Sequence, residues 1–345
     1  MTAPLETPES EPHHGSAVVT ETEDRRDGGA GNRSLRQIAW QRFRKDKVAM
    51  TGAVVVILLV LSAIFAPVIS WLLGTSPYQY HSELMDPLTG GALNDPDDGA
   101  SGIDPMGGIS TDHLLGLEPK TGRDLFTRLI YGAQISLLVA FGATVVCVVI
   151  GTILGSIAGY FGGWTDTIIS RAMDIFLAFP ILLFAIALTG AIPDQAFGLE
   201  GNGLRVGILI FVIGFFNWPY IGRIVRGQTL TLREREFVEA ARSLGASSGH
   251  ILFRELLPNL VTPILVYATL LIPTNIIFEA SLSFLGVGIN PPTPSWGRML
   301  SDSLQFYTTS PHFVIIPGLT IFVTVLAFNL FGDGLRDAYD PRSTD

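Results

Sequence analysis

The sequence predicts an all-α, polytopic membrane protein of about six transmembrane helices, and three observations carry that prediction. First, 48% of the 345 residues are hydrophobic and only 15% are charged, a balance that suits a chain solvated by lipid. Second, apolar runs at 48–73, 133–160, 168–192, 204–221, 260–285 and 313–331 approach or exceed the roughly 20 residues needed to cross a hydrocarbon core. Third, with the N-terminus cytoplasmic, about seventeen of the 22 basic residues fall on the cytoplasmic side, as the retention of positive charge near span ends requires. Six spans then return the C-terminus to the same side.

The elements follow in order. Residues 1–33 are rich in Glu, Thr, Pro and Gly with little to bury, so they read as a disordered cytoplasmic tail. Residues 34–47 interleave Leu35, Ile38, Trp40 and Phe43 with Arg36, Arg42, Arg44, Lys45 and Lys47, the composition of a helix lying on a membrane surface. The first apolar run begins at residue 48 and is long enough to span, so it reads as a retained anchor, not a cleaved signal peptide. Between it and the next run, residues 74–132 form an extracytoplasmic loop dense in breakers, among them Pro87, Gly90, Gly91, Pro96, Gly99, Pro105, Gly107 and Gly108. Residues 133–331 hold the other five spans, and 332–345 form a cytoplasmic tail. Gly151, Gly155, Gly159 and Gly163 recur every four residues, which predicts a groove for close helix approach. Pro180, Pro219, Pro273 and Pro317 are each placed to bend a span.

The cytoplasmic excursion at 222–258 lacks linker composition and reads as folded. Residues 232–244 are good helix formers, with Phe237, Ala241 and Leu244 spaced to share one face. Gly245 fits a helix C-terminus, and Ser247 or Ser248 can cap a second helix through Ile251, Leu252, Phe253 and Leu256 that Pro258 ends at the membrane. A short helix pair exposing small and apolar residues suits a groove in another protein.

Glu239-Ala240-Ala241, then Gly245, then Glu255-Leu256-Leu257-Pro258 resembles the EAA loop of bacterial ABC importer permeases. Glu255 stands where the general pattern often has isoleucine, and the peptide-permease branch is often polar there. Gly122-Arg123-Asp124, the stretch Glu279 to Gly286 with Pro294 to Gly297, and Gly332 to Asp337 followed by Asp340-Pro341-Arg342 are similar to segments of the C-type inner-membrane subunit of oligopeptide, dipeptide and nickel importers. The resemblance implies the type I importer permease fold. It also implies a coupling loop formed by Glu239, Ala240, Ala241, Arg242, Leu244, Gly245, Leu257 and Pro258, docked on an ATP-binding subunit. The implied partners are a second permease subunit, two ATP-binding subunits or domains and an extracytoplasmic peptide-binding protein, in a bacterial inner membrane. Alternating access driven by ATP would then move a peptide, or alternatively nickel or another small solute.

The chain itself reads as no enzyme and as holding no cofactor. Its lysines are Lys45, Lys47 and Lys120, and none follows a Walker-type Gly-rich loop, so ATP and Mg belong to partner subunits. The net charge of −9 comes from acids concentrated in the tail and in 83–124, a solvated-loop pattern that does not point to nucleic acid. Asp95, Asp97 and Asp98 lack the spacing of a calcium loop, and the six histidines form no zinc array. An intramembrane serine protease would need a histidine inside a span. Cys147 sits in an apolar run as a packing residue. Glu279 within the fifth span and Asp174 near the inner end of the third are the intramembrane acids, each a possible gate group or structural hydrogen-bonding group, with Arg171 one turn from Asp174 as its partner. A channel or scaffold that uses no ATP is the reading from a different class.

Overall fold

A computed structural model of the protein describes residues 35–93, 102–104, 106–191, 195–196 and 198–339. The predicted tail 1–33, the acidic trio Asp95, Asp97 and Asp98, and the closing Asp340-Pro341-Arg342 lie outside the described residues. The structure is helical, apart from a hairpin of two-residue strands, β1 (Gln195–Ala196) and β2 (Leu199–Glu200), and isolated bridges in the segment before the second span.

Helix α1 (Leu35–Lys45) and α2 (Lys47–Ile64) meet at Asp46, whose carboxylate accepts from the backbone N–H groups of Val48 and Ala49 and so caps α2. α3 (Ala66–Leu73) follows a break at Phe65 and carries Pro67 in its first turn. The predicted first span is therefore two helices. α4 (Leu125–Phe161) starts eight residues before the predicted second span because Asp124 caps it, accepting from the Thr127 N–H. At 37 residues it is about 55 Å long.

The predicted third span is broken into α5 (Gly163–Ala178) and α6 (Ile181–Ala191), bent by 76°. Phe179, held extended (φ −80°, ψ 132°) because a residue before proline avoids the helical region, makes the break at Pro180. Pro219, Pro273 and Pro317 lie inside continuous helices, so of the four predicted benders only Pro180 interrupts its span.

α7 (Gly201–Leu232) runs eleven residues past the predicted end of the fourth span. After the short α8 (Glu236–Ser243), α9 (Ser248–Phe284) is one helix of 37 residues. Its stretch Ile251–Leu256 is wound as a π-helix, and the wider turn lets the helix pass Pro258, which has no N–H to donate. Pro258 thus does not end the helix. α10 (Trp296–Ser303) and α11 (His312–Tyr339) complete the chain. Among the described residues, five helices are long and apolar enough to cross a membrane, or six if the bent α5–α6 pair is one span.

α4 and α7 form the spine. A Cβ on Gly155 would lie 2.5 Å from the Gly222 carbonyl oxygen, and one on Gly159 2.8 Å from that of Arg226, so the two backbones touch as the glycine stripe predicts. Gly163 has open space around it and belongs to the start of α5, not to the groove. Around the spine, Val139 and Ala143 of α4 pack with Val212, Ile213 and Phe216 of α7, Ala185 of α6 and Leu282 of α9. Ala133, Leu137 and Ala140 meet Ile272 and Ile276 of α9 and Phe328 of α11 on another side. Cys147 is buried and its thiol donates to the Asn217 carbonyl.

Candidate functional site: the elbow between α7 and α9

The candidate site is the elbow built from residues 233–258. α8 carries Glu236 and Glu239 in its first turn and Arg242 in its last, the charge order that complements the helix dipole. It ends at Gly245, whose φ of +80° is the left-handed conformation glycine adopts freely. The Ala246 N–H then bonds back to the Ala241 carbonyl and the Gly245 N–H to that of Arg242, closing the helix in the Schellman pattern. Ser247, not Ser248, caps the next helix, its hydroxyl accepting from the His250 N–H.

Val238 is the one fully buried residue of α8. It packs with Ile251 and Leu256 of α9, and with half-buried Ala241 and Ala246, in a cluster continuous with Cys147 of α4 and Ile221 and Val225 of α7. The inward face of α8 is therefore Val238 and Ala241, whereas Phe237 and Leu244 point outward. Leu244 is 88% exposed, and Phe253 of α9 is 70% exposed. Glu239, Ala240, Arg242, Gly245 and Pro258 are also exposed, and Leu257 is half-buried. The sequence places Phe253 in this second helix without marking it as an outward-facing residue. Its signal is an aromatic in the first turns of α9 whose neighbours Ile251 and Leu256 already fill the inward positions.

Cationic side chains tie the elbow to the end of α4. Arg233 donates from Nη1 to the Gly159 carbonyl at 3.0 Å, and the Arg242 guanidinium lies 5.5 Å from the centre of the Tyr160 ring. Beside them Arg226 of α7 grips Asp166 of α5 through two nitrogens, one of them at 2.7 Å. Asp174 is exposed, and its closer partner is Arg223 of α7 at 2.7 Å, with the expected Arg171 at 3.6 Å.

Glu279 lies far from the elbow, at the opposite end of the bundle. It is fully buried and accepts from the Ser283 hydroxyl at 2.7 Å. Ser136 of α4 and Ser295, the cap of α10, also face its carboxyl, though Oε2 has no partner of good geometry. The Ser136 and Ser295 hydroxyls accept the backbone N–H groups of Trp296 and Arg298, which leaves their protons free to point at Glu279. The structure brings Glu239 to Gly245 together with Leu257 and Pro258 in one elbow, and it places Asp174 and Glu279 in separate settings.

The bundle, with its span-length helices and folded elbow, is that of a multi-pass membrane protein. The family described as binding-protein-dependent transport system inner membrane component matches residues 151–345, and the N-terminal transmembrane domain of oligopeptide transport permease C matches residues 34–93. The chain belongs to this family of ABC transporter permeases. It is 41% identical over 304 residues to the dipeptide transport system permease protein DppC of Alkalihalophilus pseudofirmus, covering 88% of this chain and 89% of that one. It is 42% identical, with the same coverage, to the glutathione transport system permease protein GsiD of Escherichia coli. Among solved structures, a chain of the inward-facing MetNI methionine ABC transporter aligns with 62% of this chain and 97% of its own length, at a TM-score of 0.49 and 19% identity.

Proposed function

We propose that the chain is the permease subunit of an ATP-driven importer of short peptides, and that its elbow is the surface on which an ATP-binding subunit docks. One observation carries the docking reading: Leu244 and Phe253 stand almost bare on a small folded body whose own core is already filled by Val238, Ile251 and Leu256. A monomer gains nothing from that exposure, and apolar side chains presented on a rigid helix pair fit a groove in a partner. The exposed Glu239 and Ala240 border them. Ala241 serves the elbow's own core, and Gly245 sets the backbone turn.

On this reading the elbow and both termini are cytoplasmic, in a bacterial cell membrane. Two ATP-binding subunits hold ATP and Mg, a second permease subunit completes the pathway, and an extracytoplasmic binding protein delivers the peptide. The names of the relatives, a dipeptide permease and a glutathione permease, support a short peptide as the substrate class. Closure of the ATP-binding subunits would carry the docked elbows together and switch the spans between inward-open and outward-open arrangements.

Leu244→Asp tests the docking reading, because it changes a side chain with little packing to lose and places a charge in the proposed contact. The variant is expected to insert and accumulate like the wild type, yet to copurify with at least tenfold less ATP-binding subunit, roughly the effect of one desolvated charge. Full retention of that subunit would overturn the assignment.

A further inference from the structure

We infer that Arg233 and Arg242 are positioning residues that lock the elbow to the end of α4, so that displacement of α8 moves the α4–α7 spine instead of being absorbed in the turns beside it. The inference rests on the docking reading above and assigns Arg242 away from the docked surface. α8 has eight residues, too few to hold its place by helix formation alone. Its covalent links are the turn at 233–235, where Arg235 provides no side-chain cap, and the turn through Gly245. Either turn would flex under load unless something spans it.

An arginine stands near each turn and reaches α4. Gly159 is in the last turn of α4, where carbonyls lack intrahelical donors and the helix dipole favours a cation. Arg233 supplies that cation, and its Nη1 at 3.0 Å crosses from the foot of α7 to the foot of α4. Arg242, in the last turn of α8, reaches the next α4 residue through the face of the Tyr160 ring, a cation–π contact. Tyr160 itself packs against the cluster that contains Val238. The same α4 segment touches the α7 backbone at Gly155 and Gly159, so whatever holds the elbow to residues 159 and 160 holds it to both helices of the spine. Arg226 and Asp166 extend the joint to α5.

The test uses the assembled transporter in proteoliposomes, with its binding protein and a dipeptide, and reads three quantities: copurified ATP-binding subunit, ATP hydrolysis and peptide taken up per ATP. The double variant R233Q/R242Q is expected to keep the ATP-binding subunit and to hydrolyse ATP, while uptake per ATP falls about tenfold, the loss of two charge-assisted contacts. Tyr160→Leu is expected to lower uptake per ATP in the same way, and Tyr160→Phe, which keeps the ring face, to restore it. Unchanged uptake per ATP in R233Q/R242Q and Tyr160→Leu would overturn the lock while leaving docking intact. Loss of the ATP-binding subunit from R233Q/R242Q would overturn it by making the arginines docking residues. Leu244→Asp run in parallel identifies the separate case in which docking itself fails. If the double variant does not accumulate, Arg242→Gln alone, at an exposed side chain, gives the same division between hydrolysis and uptake.

Discussion

The two ends of the bundle solve opposite problems with the same residue types. At the end beyond α3, the described residues of 75–124 form a cap with a small core of Met85, Ala92 and Leu117, and it buries charged groups. Glu118 is buried between Arg123 and Arg128. Arg128 also donates to the carbonyls of Pro77 and Pro292, which pins the cap to α4 and to the segment before α10. His312 at the head of α11 bonds the Leu117 carbonyl. At the elbow the charges lie at the surface, and Leu244 and Phe253 project into solvent as Leu88 does on the cap. Buried ion pairs make breaking costly and so fix a shape, whereas exposed apolar groups become useful only when something covers them. The cap is built to stay where it is, whereas the role proposed for the elbow is to be held by another molecule.

Breaking the cap gives the largest expected effect. Glu118→Ala leaves the Arg123 and Arg128 guanidiniums buried without their shared carboxylate, a change that costs about 3–5 kcal/mol. The purified variant is expected to unfold at a clearly lower temperature than the wild type in the same detergent. An unchanged melting temperature would mean that the cap is not fixed by this cluster. The matched surface change, Leu244→Asp, is expected to leave the melting temperature within error, so the pair measures the contrast between the two ends directly.

The spine comes next in size. Gly155→Val pushes a branched side chain into the Gly222 carbonyl, 2.5 Å from where its Cβ would sit. Neither α4 nor α7 has a flexible side chain there to move aside, so overpacking of roughly 1–3 kcal/mol is expected, read as a fall in melting temperature smaller than that of Glu118→Ala. Gly163→Val, two positions further along the same four-residue repeat, meets nothing within 4 Å, although its φ of +52° strains any side chain. A loss from Gly163→Val equal to that from Gly155→Val would show that backbone strain, not helix contact, dominates the stripe.

Much of this was legible in the sequence, and the rest was hidden for definite reasons. Span count and helical class follow from apolar run length alone, which is why the membrane reading holds although the bounds move. α7 and α9 extend past the predicted span ends because polar residues beyond 221 and before 260 carry helix as readily as apolar ones, and run length sees only the latter. The elbow's inner face was misplaced by one residue, Val238 for Phe237. Helical spacing gives the relative positions on a face, but the neighbours Ile251 and Leu256 decide which face turns inward. Asp174 pairs more closely with Arg223 than with Arg171 because a partner 49 residues away leaves no local pattern. Pro180 and Pro219 look alike in sequence, yet only Pro180 breaks its span.

Gly245→Ala gives the smallest effect and sharpens the elbow side of the comparison. A Cβ there meets nothing within 4 Å, so the only penalty is the left-handed backbone, about 1–2 kcal/mol for a residue with a side chain. That penalty falls on the Schellman closure of α8 and not on a contact with a partner. Gly245→Ala is therefore expected to fray the end of α8, seen as faster amide exchange at Gly245 and Ala246, whose N–H groups close the helix, with only a modest drop in copurified ATP-binding subunit. Gly245→Asn tolerates positive φ better than alanine does and is expected to recover most of the loss. If alanine and asparagine abolish binding equally, the glycine is needed for what approaches it and not for the turn it makes, and the partner's surface must come into van der Waals contact with the backbone at residue 245.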